Sequence, residues 1–260
     1  MRARVQSLHA RALPHGPLDA FRQIALFFCA YYAYRLVRGQ VDDPGGAAVA
    51  FQHARELISI ERTLHLFVEP SVQTWAVAKP AIVDIASWIY INAQTSVTLG
   101  ALAFLYLAHN RSFYFVRNMF VVAMAIALLG YIVYPTAPPR FFPEWGFVDS
   151  VSNFTGISHD NVSVNALFNP YAAVPSMHVA FALMVGVPLA RLSRRRAARG
   201  FWTIYPLLIT FVIVVTANHF IADAVLGAAT AGIAASTAAW LARARPGAWA
   251  FAPSQAEAAA

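Results

Sequence analysis

Cysteine, lysine and charge are all scarce in this chain of 260 residues. The one cysteine, Cys29, cannot form an intramolecular disulfide, and no Cys/His cluster has the spacing of metal ligands. Charged residues make up 12% of the chain, about half the share that soluble domains carry. Of the 19 basic residues only Lys79 is a lysine, and the run Arg194–Arg196 lies in a short loop between apolar segments. The sequence therefore gives no indication of a disulfide framework, a metal or other cofactor, or a nucleic acid partner.

Apolar residues, in contrast, make up 59% of the chain. They form runs long enough to cross a bilayer, which takes about 20 residues in a helix. We therefore predict an all-α integral membrane protein, a six-transmembrane-helix bundle with spans at residues 20–37, 82–108, 117–134, 176–190, 201–217 and 219–241. The six spans make one membrane domain over residues 20–243. A cytoplasmic segment, residues 1–19, precedes it, and a disordered Pro/Ala/Ser-rich tail, residues 244–260, follows it.

Two segments near the N-terminus need separate interpretation. The basic start of the chain ahead of Ile24–Tyr34 is similar to a signal peptide, but no small-residue cleavage site follows, so we expect an uncleaved first span. Residues 47–67 are too charged to cross the membrane, and their apolar residues fall near one side of a helix. This pattern predicts an amphipathic helix at the interface between spans 1 and 2. Its apolar side consists of Val49, Leu57, Ile60, Leu64 and Phe67.

The distribution of arginine predicts the orientation. If the N-terminus is cytoplasmic and the six spans alternate, most of the 19 basic residues fall on the cytoplasmic side, as the positive-inside rule requires. Both termini of this multi-pass protein are then cytoplasmic, and we expect it in the plasma membrane. The long loop 135–174, the junction of spans 5 and 6, and the 47–67 helix then share the outer face.

Three segments on that outer face carry the polar groups of interest. They are YPTAPPRFF (134–142), AVPSMHVAFAL (173–183) and TANHFIADAVLG (216–227). Ionisable groups in or beside a membrane span are costly and usually functional. His219 and Asp223 are four residues apart and share a helix face, so the aspartate can accept the imidazole N–H while the other ring nitrogen acts as a nucleophile or base. As an isolated pattern, this spacing also fits a structural His–Asp pair.

The other two segments supply groups that suit an anion. Ser176 stands at the N-cap position of span 4, where the N–H groups of a helix N-terminus attract negative charge, and His178 lies in the first turn. The prolines of PTAPPR would hold Arg140 in a fixed direction, and arginine suits bidentate phosphate recognition. The structural alternatives are a plain N-cap, an interfacial histidine and a snorkelling arginine.

Small residues four apart predict how spans 4 and 6 pack. The stripes are Ala182, Gly186 and Ala190 in span 4 and Gly227, Ala231 and Ala235 in span 6. Such stripes let membrane helices approach closely, which would bring His178 and His219 together. In an alanine-rich chain they also arise by chance.

Two histidines, an aspartate, an arginine and a helix N-terminus suit metal-independent phosphoryl transfer. One histidine would attack phosphorus and the other would protonate the leaving oxygen. The arginine and the N–H groups would stabilise charge on the equatorial oxygens.

The ordered set PTAPPR, PSMH and HFIAD-x3-G resembles the type 2 phosphatidic acid phosphatase superfamily. Its first motif is similar to that of the inositol phosphorylceramide synthase branch and its bacterial relatives. The resemblance implies a six-helix, metal-independent enzyme acting on phosphates of lipids or small molecules. It implies His219 as the nucleophile that forms a phosphohistidine, Asp223 as its orienting partner and His178 as the general acid. Arg140 and the Ser176 region would hold the phosphate.

The resemblance covers roughly residues 50–240, and the chain departs from the phosphatase pattern within it. Val133 stands where that pattern has a lysine, Ile213 stands where it has an arginine, and Met177 replaces a glycine. Fewer cations suit a singly charged phosphodiester better than a dianionic monoester. We therefore expect phospho-headgroup transfer of the inositol phosphorylceramide synthase type. The alternative is a plain lipid phosphatase acting on phosphatidate or a polyprenyl diphosphate.

Two hypotheses from other classes are a lipid or solute transporter and a non-catalytic membrane scaffold. Against the transporter, the polar groups cluster at one end of the spans and no inverted repeat is apparent. The intact His/His/Asp set argues against the scaffold, and the oligomeric state stays open.

Three further polar residues are placed from the sequence alone. Asp84, near the outer end of span 2, could pair with Lys79 or Arg140 and is a further candidate site residue. Glu61 and His65 are assigned to a solvated face of the interfacial helix, with headgroup recognition as the alternative.

Overall fold

The computed structural model describes residues 16–39, 44–157 and 170–246, and within them the chain is helical with no β-strand. The predicted all-α fold is confirmed. The helices are α1 (Gly16–Gly39), α2 (Pro44–Thr63), α3 (Glu69–Val77), α4 (Pro80–Ala108), α5 (Asn110–Val133), α6 (Ser150–Thr155), α7 (Met177–Leu192), α8 (Arg196–Val215) and α9 (Ile221–Ala244). Two 3₁₀ turns, Pro139–Phe141 and Pro143–Trp145, follow α5. Most of the predicted segments 1–19 and 244–260 lies outside the described residues.

Four helices are long and apolar enough to cross a membrane: α4, α5, α8 and α9. They correspond to the predicted spans 82–108, 117–134, 201–217 and 219–241, and they confirm an integral membrane protein. The last two differ in their bounds, because α8 ends at Val215 and α9 begins only at Ile221. The intervening residues form the turn that carries His219.

The predicted count of six spans is not confirmed. The segment 176–190 forms α7, an apolar helix of 16 residues. At ~1.5 Å per residue it is about 24 Å long, shorter than a hydrocarbon core of about 30 Å. The segment 20–37 forms most of α1, which is not among the four candidate spans. Its charged residues, Asp19, Arg22, Arg35 and Arg38, lower its hydropathy.

The predicted interfacial helix is present as α2, but it ends at Thr63 and packs by a different face. The buried residues of α2 include Ala50, Ala54 and Ile58. They pack against the aromatic side chains of Phe142 and Phe220. The alanines allow this close approach, whereas most of the larger apolar residues of the predicted face, Val49, Ile60 and Leu64, are exposed. A second short helix, α3, follows with Pro70 in its first turn, a position that proline favours.

The centre of the bundle is formed by α5, α7 and α9. Ala180 and Met184 of α7 share one core with Ala231 and Ala234 of α9. The predicted stripe of small residues in α9 therefore does pack against α7. The predicted stripe in α7 does not pack against α9. A methyl group on Gly186 would lie 2.7 Å from the carbonyl oxygen of Trp202 in α8. The small face of α7 is therefore used for the close approach of α8.

Candidate active site

The first of the three sequence motifs is fixed to the third by its backbone. Proline at positions 138 and 139 stiffens the chain that leaves α5, and the next residue, Arg140, donates its backbone N–H to the carbonyl oxygen of Ala217 at 2.9 Å. The Arg140 guanidinium donates to the amide oxygen of Asn218 at 2.5 Å, and its Nε lies 3.9 Å from a carboxylate oxygen of Asp149. Arg140 is thereby held against the residue that precedes His219.

The second motif is fixed to the other two in the same way. The backbone N–H of Ser176 donates to the carbonyl oxygen of Asp223 at 3.0 Å, and the Tyr131 hydroxyl donates to the carbonyl oxygen of Pro175 at 3.2 Å. Gly227 completes this contact, because its α-carbon lies directly against the carbonyl group of Ser176. The start of α7 therefore rests on the first turns of α9.

The two histidines face each other across this junction. The ring centroids of His178 and His219 are 5.7 Å apart, with the ring planes inclined at 62°. The Nδ1 atom of His219 lies 3.2 Å from a carboxylate oxygen of Asp223. His219 precedes α9 instead of lying on it, so the pair forms because Asp223 is the third residue of the helix and folds back over its start. The same Asp223 oxygen accepts the Phe220 N–H at 3.0 Å.

His178 is positioned by α4 as well as by α7. Its ring stacks on that of Tyr90 with a centroid distance of 4.3 Å and an angle of 20° between the planes. A small pocket beside it is lined also by Gln94, Thr98 and Tyr205. His219 is nearly buried at the same junction, with an exposed fraction of 6%.

Ser176 occupies the N-cap position of α7 without acting as a side-chain cap. Its hydroxyl oxygen is buried, and in the described part of the chain no group hydrogen bonds to it. A buried hydroxyl without a partner is costly in an apolar protein interior. The plain N-cap alternative is therefore wrong, and the hydroxyl is available to a ligand at this helix N-terminus.

Asp84 does not join this group. Its side chain is exposed, and among the described residues no hydrogen bond or ion pair links it to Lys79 or Arg140. Lys79 instead donates to the carbonyl oxygen of Trp75 and lies over the ring of that residue.

Two glutamates that the sequence analysis did not assign to the site reach it. Glu61 of α2 is 2% exposed, so its assignment to a solvated helix face is wrong. Its Oε1 accepts the Ala222 N–H at 2.7 Å, and Oε1 of Glu69, which is 0% exposed, accepts the Ile221 N–H at 2.8 Å. Burial, and after it the neighbouring Glu69, raise the pKa of Glu61 to about 8. The sequence signal that could have indicated this role is the position of the two glutamates on either side of a short helix break.

His65 does not accompany Glu61. It lies beyond the end of α2, its side chain is exposed, and its φ of 55° is in the left-handed region. Glu61 and His65 are four residues apart in the sequence but do not share a helix face.

Comparison with known proteins gives one match. The family model described as "PAP2 superfamily" matches residues 55–237, which is more than two thirds of the chain and includes all three motifs. No curated protein and no solved structure matches the chain.

Proposed function

The chain belongs to the PAP2 superfamily of phosphatase-type enzymes, and from this premise we propose that it is a membrane lipid phosphotransferase with a phosphohistidine intermediate on His219. The proposed donor is a lipid phosphodiester and the proposed acceptor an alcohol, as in inositol phosphorylceramide synthesis. The observation that carries the proposal is the 5.7 Å separation of the two histidine rings within three interlocked motifs. That arrangement supplies a nucleophile and a separate proton donor for one phosphorus atom.

The proposed reaction has two displacements. Because Nδ1 of His219 is engaged by Asp223, Nε2 attacks phosphorus. A P–N bond forms as the P–O bond to the leaving lipid alcohol breaks, and His178 gives that oxygen its proton. The acceptor oxygen then attacks the phosphohistidine, His178 takes the acceptor's proton, and the P–N bond breaks. Asp223 stabilises the positive charge that His219 carries between the two steps.

Three groups are proposed to hold the phosphate. The Arg140 guanidinium offers a planar fork of donors beside the residue that precedes His219. The Ser176 hydroxyl and the N–H groups at the start of α7 lie on the opposite side of the junction. All these donors are in place before substrate binds, so they lose little freedom when charge develops on the phosphoryl oxygens.

The preference for a diester rests on charge. Val133 is 75% exposed on the outside of α5, and Ile213 is completely buried. Neither position adds a cation, although both correspond to basic residues in the phosphatase pattern. A phosphodiester carries one negative charge and needs less compensation than the two charges of a monoester.

A substrate comparison in the presence of a chelator tests this proposal. Purified protein in detergent would be offered phosphatidylinositol with an alcohol acceptor, phosphatidic acid, or a polyprenyl diphosphate. We expect diacylglycerol and the transferred headgroup from the diester, little inorganic phosphate from the other two, and no effect of the chelator. Efficient phosphate release from phosphatidic acid would replace the transferase with a plain lipid phosphatase. Inhibition by the chelator would contradict the metal-free mechanism.

Replacement of Arg140 should affect turnover strongly. Loss of one preorganised donor to the developing charge typically lowers the rate about 10²–10³-fold, and we expect this for Arg140→Gln. Arg140→Lys should recover part of the activity, since it keeps the charge and loses the fork. The control is Arg62→Gln, because Arg62 is exposed and stacks over the Trp145 ring at 5.2 Å. Equal activity of Arg140→Gln and the control would remove Arg140 from the site.

A further inference from the structure

The start of α9 is surrounded by three buried carboxyl groups that come from three helices. Glu61 of α2, Glu69 of α3 and Asp223 of α9 are between 0% and 2% exposed. Each accepts one backbone N–H from the first residues of the helix, at 2.7, 2.8 and 3.0 Å. These are the donors that a helix leaves without intrahelical partners. The first turn of α9 is therefore held by side chains that also surround the His219–Asp223 pair.

The charge of this cluster requires a proton. The helix N-terminus offers roughly half a positive charge, which cannot offset three buried carboxylates. Each carboxyl group also has a second oxygen that is buried and, within the described ranges, has no hydrogen-bond partner. A proton on Glu61 would let its carboxyl group donate to Glu69, which gives the second oxygens of both side chains a partner. In the described part of the chain, no group of three or more acidic, His or Cys side chains is arranged to hold a metal ion.

We propose that Glu61 is protonated and acts together with Glu69 as a pair of positioning residues, fixing the first turn of α9 and with it the His219–Asp223 pair. The pair touches no reacting atom and acts through the helix start that carries Asp223. This inference rests on the proposed role of His219, and it adds a requirement that Glu61 be protonated for full activity.

The pH dependence follows from the groups that face Glu61. Glu69 approaches from α3 and Asp223 from α9, and both disfavour a further negative charge, while the Ala222 N–H favours it. Arg62, the next residue on α2, is exposed and lies over the Trp145 ring instead. Because the folded-state pKa of Glu61 is about 8 and the ordinary value is 4.5, the folded protein holds a proton that the unfolded chain loses. The contribution to stability is full below about 4.5 and is lost as pH rises through about 8.

Glu61→Gln tests the protonated state directly. A glutamine keeps an oxygen for the Ala222 N–H, and its amide N–H₂ can donate to Glu69 as the proton does. We expect Glu61→Gln to keep near-wild-type activity at pH 7. Its activity should no longer fall between pH 7 and 9, where the activity of the wild type falls. Its thermal unfolding midpoint should lose the decline between about pH 4.5 and 8 that Glu61 causes in the wild type. Glu61→Ala should lose activity on the order of 10²-fold at pH 7, because it leaves the buried Ala222 N–H without a partner and removes the side chain that faces Glu69.

The control is Glu144→Gln, which removes an exposed carboxylate and should keep the wild-type pH profile. An inactive but folded Glu61→Gln variant would show that a charged Glu61 is needed and would overturn the proposal, as would an unchanged pH profile. The unfolding midpoint needs no substrate. If the proposed reaction failed while Glu61→Gln still flattened the decline of the midpoint between about pH 4.5 and 8, the protonated Glu61 would stand and only the chemistry would be revised.

Discussion

Replacing His219 with alanine should abolish turnover of every phosphate ester that the protein accepts, with a loss of at least about 10⁴-fold, as for other covalent nucleophiles. The imidazole is 6% exposed, and the substitution removes the nitrogen proposed to attack phosphorus. Asp223 also loses the group it contacts at 3.2 Å. The measurement is substrate turnover by purified protein in detergent, with the folded state checked by thermal unfolding.

The matched control is His65→Ala, which removes an exposed histidine in the turn after α2. His219→Asn gives a second variant that keeps a hydrogen-bonding group for Asp223 if alanine unfolds the protein. Turnover by folded His219→Asn at the wild-type rate would contradict the assignment of the nucleophile.

A trapping experiment separates the roles of the two histidines. With labelled substrate, rapid denaturation in alkali should preserve a phosphohistidine in the wild type. His178→Asn should still form it from a substrate whose leaving group needs no proton, and should release it slowly. A trapped label in His219→Ala would assign the covalent bond to another residue.

Local patterns predicted which motifs meet at the candidate site better than they predicted the contacts around it. The motifs around Arg140, His178 and His219 were recognisable because each combines a turn, a helix start and an ionisable group within a few residues. Their mutual contact followed once they were placed at one end of the same helices. The details differ, since His219 reaches Asp223 from outside α9 and Ser176 does not cap α7.

Long-range contacts account for the misses. Glu61 was assigned to solvent because charge on an amphipathic helix normally faces water, and the acceptor role emerges only when α2 lies against the start of α9. Gly186 was paired with α9 because a stripe of small residues shows that some helix approaches without showing which one. The count of six spans stays unconfirmed because of α1 and α7, whose hydropathy or length is marginal for crossing a bilayer.

Gly227→Ala should cause a loss of activity comparable with removal of a catalytic side chain, although it adds only one methyl group. The new carbon would overlap the carbonyl oxygen of Ser176 and lie 3.2 Å from its carbonyl carbon. Both are backbone atoms, so relief requires α9 to move away from the start of α7. That movement would break the contact between the Ser176 N–H and the Asp223 carbonyl oxygen and separate the two histidines. Misplacement by about 1 Å can cost 10²-fold in rate, and overpacking typically costs about 1–3 kcal/mol in stability.

Gly232→Ala supplies the control within the same helix, because no heavy atom lies within 4 Å of the added carbon. Alanine favours a helix over glycine by about 0.8–1.0 kcal/mol, so this variant should be active and at least as stable as the wild type. The measurements are turnover and the thermal unfolding midpoint of both variants. Loss in Gly227→Ala alone would show that the close approach of α9 to Ser176 brings the histidines together. Equal activity in both variants would mean that the junction tolerates a wider separation, and the preorganised geometry would then not limit catalysis.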